Sequence, residues 1–284
     1  MTPRPLVMGI LNVTPDSFSD GGRYLDHSAA IAHGRLLVAD GADVVDIGGE
    51  STRPGAVEVD ANTELARILP AVEALAAEVR VSVDTSKAEV ARAAVEAGAT
   101  LVNDVSGTLA PVAADLGVGW VAMHRRGTPA TMQGLTDYDD VVAEVTDELV
   151  AMATRARDLG VGEVWIDPGI GFAKTAEQNL VLLAHLDRLV ATGFDVLVGT
   201  SRKAFLGVAH GASDRTGWAR AASAVRPEVT LDPPPDLPDG PSPVDDRVEG
   251  SVATVTWSLA KGARMVRVHD VRPARDAAKV VAGG

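Results

Sequence analysis

Eight times along this chain a short, valine-rich run is followed by an amphipathic stretch, and that rhythm limits the fold more than any other feature. The expected strands are 6–13, 43–48, 79–84, 100–105, 119–124, 163–168, 195–201 and 264–270. Near-continuous apolar runs of this kind suit strands buried on both faces, as in a parallel sheet. Helical patterns lie between them, for example over 87–97, 140–159 and 176–191. Gly41, Gly98, Gly160, Gly193 and Gly262 each stand where a helix must stop before the next strand. Eight such units in one α/β domain favour a closed (β/α)₈ barrel over a doubly wound open sheet. The 284 residues agree with the roughly 250 such a barrel needs.

Composition removes several function classes. The formal charge of −13 repels nucleic acid phosphates and anionic membrane, so neither is expected as a partner, although a local basic site can still hold an anionic substrate. There is no cysteine, which excludes disulfides and thiolate metal sites. The opening residues lack a signal-peptide pattern, and no apolar run approaches the roughly 18 residues of a membrane span. A cytoplasmic protein is expected.

One segment breaks the rhythm. Residues 208–249, between the seventh strand and its helix, are acidic and proline-rich, with Pro233-Pro234-Pro235 at their centre. The start, about 203–225, reads as partly helical, and 226–246 as a mobile, solvated excursion. The whole chain, 1–284, reads as one domain carrying this insertion.

The polar residues within the strands gather at their C-terminal ends: Asn12, Asp46, Asp84, Asn103, His124, Asp167, Ser201, Arg267 and His269. In a barrel those ends form one face, where active sites sit. A lone aspartate after a strand more often caps a helix than catalyses. A polar residue at the end of nearly every strand is better explained by a pocket. Glycine- and proline-bearing loops at 14–22, 48–56 and 168–174 add turn geometry around that face, and the first two read as closing lids. No GxGxxG follows a strand and no P-loop lysine motif occurs. Arg53, Lys203, Arg267 and His269 suit phosphate oxygens. Asp84, Asn103 and Asp167 suit a flat heterocycle bearing adjacent N–H donors. From the residues alone, the site takes an aminated heterocycle carrying an anionic group.

Eight strings, in order and one per βα unit, give the chain a resemblance to the dihydropteroate synthases over nearly its whole length. They are MGILNVTPDSFSDGG (8–22), GADVVDIGGESTRPGA (41–56), VSVDTSKAEVARAAVEAGA (81–99), VNDVSG (102–107), MHRRGTPATMQ (123–133), DPGIGFAKT (167–175), VGTSRKAFLG (198–207) and VRVHDV (266–271). The insertion departs from the family's usual length. The resemblance implies condensation of 6-hydroxymethyl-7,8-dihydropterin pyrophosphate with para-aminobenzoate, giving 7,8-dihydropteroate and pyrophosphate in folate biosynthesis. It implies that Asp84, Asn103, Met123, Asp167, Lys203 and Arg267 hold the pterin. Asn12, Arg53, Arg267 and His269 would hold the pyrophosphate, with Asn12 also a ligand to Mg²⁺. Phe18, Asp20, Thr52, Pro54, Phe172, Ser201 and Lys203 would face the aminobenzoate. Asp84, Lys203, Arg267 and His269 would carry the catalysis. The resemblance also implies inhibition by sulfonamides and a homodimer.

Two other readings share the barrel. A pterin-dependent corrinoid methyltransferase has no need for the SRKAFLG or STRPGA strings. A non-catalytic pterin-binding paralogue commonly loses them, and here both are intact.

Overall fold

The computed structural model describes residues 4–14, 26–52, 56–209, 241–244 and 247–283. Eight parallel strands pair in chain order and the first closes on the last. They are β1 Leu6–Asn12, β2 Val44–Gly48, β3 Arg80–Asp84, β4 Leu101–Asp104, β5 Gly119–Met123, β6 Val164–Asp167, β7 Asp195–Val198 and β8 Met265–Val268. Each falls inside a run expected from the sequence. Helices His27–Ala39, Ala61–Leu75, Ala88–Glu96, Ala110–Leu116, Val141–Asp158, Ala176–Ala184, Leu186–Val190, Val248–Ala260 and Val271–Ala282 follow the strands.

The alternation of side chains along a strand sorts the core into two bodies. Val7, Val45, Val83, Val102, Ala122, Ile166, Val196 and Val266 belong to the large outer core, shared with the helices. Met8, Val44, Leu101, Val121, Trp165, Leu197 and Met265 form a separate apolar cluster that plugs the barrel. The outer core explains why the sequence reads as continuous apolar runs rather than as a clean alternation. Both faces of each strand are buried, one by helices and one by the plug.

Helix ends follow the glycine signals. After helix His27–Ala39, the Gly41 N–H bonds the Val38 carbonyl and the Ala42 N–H bonds that of Leu37. This pairing of bonds is a Schellman stop, and it recurs at Gly98, Gly160 and Gly262. Every one of these glycines has a positive φ. The next residue in each case enters the core, and a strand starts two or three residues further on, so one motif turns the chain from helix to sheet.

Two expectations change. The pattern over 176–191 is two helices, because the His185 N–H bonds both the Val181 and Leu182 carbonyls and the chain restarts at Leu186. Of the insertion, residues 204–209 are helical, while 210–240 and 245–246 lie outside the described residues. The reading of 226–246 as an excursion therefore falls almost wholly outside them. Its root is closed: the Ser242 N–H donates to the Gly207 carbonyl at 3.0 Å, and Arg247 donates to the carbonyls of Ser242 and Arg202. The following helix begins at Val248, inside the 208–249 bounds.

Gly98 and Gly160 separate two costs of replacing such a glycine. Both have left-handed φ, +113° and +96°. A Cβ at Gly98 would lie 2.6 Å from the Ala76 Cβ, whereas one at Gly160 would meet nothing within 4 Å. Gly160→Ala is expected to cost about 1–2 kcal/mol of backbone strain. Gly98→Ala is expected to cost at least about 1 kcal/mol more, since Ala76 ends a packed helix and cannot yield freely. Thermal unfolding checks this, at about 2–4 °C per kcal/mol. Equal losses would mean that the helix end gives way.

Candidate active site

Two residues beyond the apolar plug, the same inward-facing positions turn polar. Along β2 Asp46 follows Val44, along β4 Asn103 follows Leu101, along β6 Asp167 follows Trp165, and along β8 Arg267 follows Met265. Met123 follows Val121 on β5, and Asp84 ends β3 opposite Asn103. Period-two alternation thus stacks a polar layer on an apolar one. Asp104 and His124 fall on the opposite parity. Asp104 accepts from the Leu109 N–H at 2.7 Å and from the Trp120 indole at 3.1 Å, which is structural work under a helix. Helix starts are capped by other residues, Asp26, Asp60, Asp140 and Thr175, which leaves Asp84 and Asp167 for the mouth.

Arg267 ties this layer together. Its Nε donates to Asp46 Oδ2 and its Nη2 to Asp84 Oδ2, both at 2.6 Å. Asn103 donates to the same Asp46 oxygen at 2.9 Å. The other oxygen of Asp46, Oδ1, is buried with no hydrogen-bond partner among the described residues. Burial pushes the Asp84 carboxyl up to about 7; Arg267 opposes that, and the nearby charges of Asp46, Glu64 and Asp104 add to it. Asp167 is also raised by burial, against the pull of Lys203 and Arg267. Burial disfavours the Arg267 charge, but Asp46 and Asp84 outweigh it and hold the guanidinium above its ordinary value.

Sheet pairing between β7 and β8 ends at Val198 and Val266, and side chains take over beyond it. Ser201 Oγ accepts the His269 N–H at 3.1 Å and lies 3.1 Å from His269 Nδ1. Arg202 stands in the left-handed region, φ +59°, between Ser201 and Lys203. Its guanidinium donates to both oxygens of Asp270, at 3.0 and 2.6 Å. Its N–H donates to Ser251 Oγ, and its carbonyl accepts from Arg247. This strained residue is therefore held at backbone and side chain alike, and it fixes Ser201 beside His269 and Lys203 beside Ile170 and Phe172. Lys203 donates to the Ile170 carbonyl and sits 4.9 Å from the centroid of the Phe172 ring. Burial pulls the Lys203 ammonium down to about 8, with Asp167 opposing and Arg267 adding to the fall.

The structure thus brings Asp84, Asn103, Met123, Asp167, Phe172, Ser201, Lys203, Arg267 and His269 to the C-terminal end of the barrel, where Asn12 ends β1. Thr52 is half-buried at the edge of the second loop. Phe18, Asp20, Arg53 and Pro54 lie outside the described residues. His124 does not join the mouth: its Nδ1 faces Lys174 at 2.9 Å and its Nε2 lies 3.1 Å from Glu148. Three features were legible only in part or not at all in the sequence. Asp46 was legible as polar, but its place at the hub follows only from inward parity. The Arg202–Asp270 pair had no local signal. Nor did Lys87, which bonds Glu50 and the fully buried Glu64 and so roots the second loop.

Asp84 carries a pH signature. Its native pKa of about 7 stands above the ordinary 3.8, so the folded chain holds this proton more tightly than the unfolded one. The stability it contributes is full below about pH 4 and is lost as pH rises through 7. Asp84→Asn lacks this titration. Urea unfolding of both proteins at several pH values should show the variant gaining on the wild type between pH 5 and 8. A stability difference that stays constant with pH would overturn the assignment.

Three comparisons bear on this geometry. The family model described as pterin binding enzyme matches residues 8–269. The dihydropteroate synthase of Mycobacterium leprae (strain TN) is 48% identical over 97% of this chain and 92% of its own. The solved Xanthomonas albilineans dihydropteroate synthase with 4-aminobenzoic acid superposes with a TM-score of 0.81, at 43% identity, covering 99% of this chain and 93% of that one. The structure of that organism's enzyme in complex with 7,8-dihydropteroate gives 0.78, at 40% identity, covering 100% and 94%. A barrel with its polar layer at the strand ends, matched over nearly its full length, places this chain in the dihydropteroate synthase family of pterin-binding transferases.

Proposed function

We propose that this chain joins 6-hydroxymethyl-7,8-dihydropterin pyrophosphate to para-aminobenzoate, releasing pyrophosphate and forming 7,8-dihydropteroate for folate synthesis. The observation that carries the reading is the buried polar layer, in which Arg267 bridges the Asp46 and Asp84 carboxylates beside Asn103 and Asp167. A dihydropterin brings an exocyclic amine and ring N–H groups to Asp84, Asn103 and Asp167, and Met123 would wall the ring. Lys203 and Arg267 would complete that pocket.

The second half of the site fits an anion and an aromatic amine. Arg267 and His269, with Arg53 from the second loop, would take the pyrophosphate. Ser201, Lys203, Phe172 and Thr52 would seat the aminobenzoate, with Phe18, Asp20 and Pro54 from the two loops. Asn12 would offer Mg²⁺ one amide oxygen. That amide oxygen is a hard donor of the kind Mg²⁺ takes, and phosphate oxygens and water would fill the rest of the ion's shell. Bound there, the ion would neutralise charge on the departing pyrophosphate.

In the reaction the carbon–oxygen bond to pyrophosphate breaks and its electron pair leaves with the phosphate. Arg267 and His269 stabilise that charge through preorganised donors. The electron-rich ring and the Asp84 carboxylate then stabilise the positive carbon. The amine nitrogen attacks, its position set by Ser201, Lys203 and Phe172, and gives up a proton as the bond forms. No strong base is needed, since the amine becomes acidic on bonding. A sulfonamide, with an aryl amine opposite a polar group, would take the aminobenzoate seat. The chain would act as one domain and pair as a homodimer, and the reaction is one of the cytoplasm.

A steady-state assay with both substrates, reading dihydropteroate and pyrophosphate, tests the proposal directly. A pterin-binding paralogue would bind without turnover, and a corrinoid methyltransferase would leave aminobenzoate untouched. Lys203→Ala should keep the fold and lower turnover by about 10²–10³, the range for one preorganised charged group. Near-normal turnover in that variant would remove Lys203 from the mechanism. Calorimetry should show para-aminobenzoate binding weakly alone and at least about tenfold more tightly with Mg²⁺ and pyrophosphate present. Equal affinities would rule out coupling between the two half-sites.

A further inference from the structure

Lys174 has no part in the reaction above, yet it is 4% exposed and stands directly behind the turn that carries Phe172. A buried ammonium must have its donors filled. Three acceptors meet Lys174 Nζ: the Gly169 carbonyl at 3.1 Å, the Phe172 carbonyl at 3.0 Å and His124 Nδ1 at 2.9 Å. None of the three is a carboxylate. His124 can offer a lone pair because burial, with Lys174 and Arg126 nearby, pushes its pKa down to about 3 and keeps the ring neutral.

The turn that Lys174 grips is one that needs holding. Gly169, Gly171 and Ala173 all have positive φ, and Ala173 is a non-glycine residue in that region. A Cβ on Gly169 would fall 1.8 Å from the His124 carbonyl oxygen, so the turn presses against the end of β5. Tyr138 holds the Ala173 carbonyl through its hydroxyl at 3.1 Å. On its other side the turn presents the Ile170 carbonyl and the Phe172 ring to Lys203.

We propose that Lys174 is a positioning residue for the aromatic amine substrate: its ammonium clasps the Gly169 and Phe172 carbonyls from behind and so fixes the seat formed by Phe172 and Lys203. The inference rests on the reading that those two residues contact para-aminobenzoate. Burial draws the Lys174 ammonium down to about 7; Asp167 and Glu148 support its charge, and Lys203 and Arg126 oppose it. The charge is thus supported at a distance by Asp167 and Glu148, while the three acceptors of the clasp aim the ammonium. Asp167 sits on β6 and takes the Gly169 N–H at 2.7 Å, so the pterin side of the loop has an anchor of its own.

Lys174→Met removes the donors and keeps the unbranched apolar stem, one atom shorter. It should raise the KM for para-aminobenzoate by about tenfold or more, while kcat and the KM for the pterin pyrophosphate change by less than about threefold. Tyr138→Phe, a milder loss at the same turn, should show the same one-sided shift at about two- to fourfold, and serves if the methionine variant does not fold. Wild-type kinetics, equal losses for both substrates, or a fall in kcat at unchanged KM would each overturn the assignment. Wild-type turnover is the control. If the wild type does not turn over these substrates, the proposed reaction fails. If it does and neither variant discriminates between them, only the role of Lys174 fails.

Discussion

Arg267 reaches from the last strand of the barrel to the second and third, and Asn103 of the fourth meets it at the same Asp46 oxygen. Those four side chains span the seam where the barrel closes. A guanidinium suits the position because it offers several donors in a fixed plane and does not give up its proton when buried. A lysine there could not bridge two carboxylates in one geometry. Removing either carboxylate would leave the cation under-compensated in a region that excludes water, which is why the network is held as a unit. The loop after β7 depends on it as well, since Arg267 and Asp84 act on the Lys203 charge alongside burial and Asp167.

The depth of this network comes from a counting rule. Strand residues two apart share a face, so the apolar plug of Met8, Val44, Leu101, Val121, Trp165, Leu197 and Met265 fixes which residues come next. The plug closes the barrel below and supplies the low-polarity floor that raises Asp84 and Asp167. Fold and electrostatics are therefore not separate features, because the packing that stabilises the barrel also perturbs its acids.

Much of this was readable in advance. The valine runs marked the strands because both of their faces are buried, and Gly41, Gly98, Gly160 and Gly262 marked the helix ends because the Schellman stop needs positive φ. The polar strand ends marked the mouth. The errors came where one-dimensional order hides direction. His124 was grouped with the site residues because it follows β5, but its parity turns it outward to Lys174 and Glu148. Asp46 reads as one polar residue among several until the register sets it beside Arg267 and Asn103. Lys174, Lys87 and the Arg202–Asp270 pair act through contacts between distant segments, 50, 23 and 68 residues apart, which no local pattern reports. The break at His185 depends on one shared hydrogen bond, below the resolution of a periodicity argument.

The chain carries a formal charge of −13, yet the proposed reaction requires it to hold pyrophosphate. The mouth resolves this by balancing charge locally: Asp46, Asp84 and Asp167 face Arg267 and Lys203, with Lys174 behind. Burial draws Asp84 and Asp167 up and Lys203 and Lys174 down, so each of these groups is held nearer neutrality than it would be in water. A mouth of this kind favours a ligand that can pair with both signs of charge. A ligand with N–H donors on one end and negative charge on the other supplies both partners at once. Binding then stabilises the ionised forms that the chemistry uses, and the free energy withheld from the empty protein appears as affinity for a molecule with that polarity along its length. A purely anionic ligand would satisfy only the cations and bring no N–H donors to Asp84 and Asp167, which is how an acidic protein can select a pterin pyrophosphate without becoming a general phosphate binder.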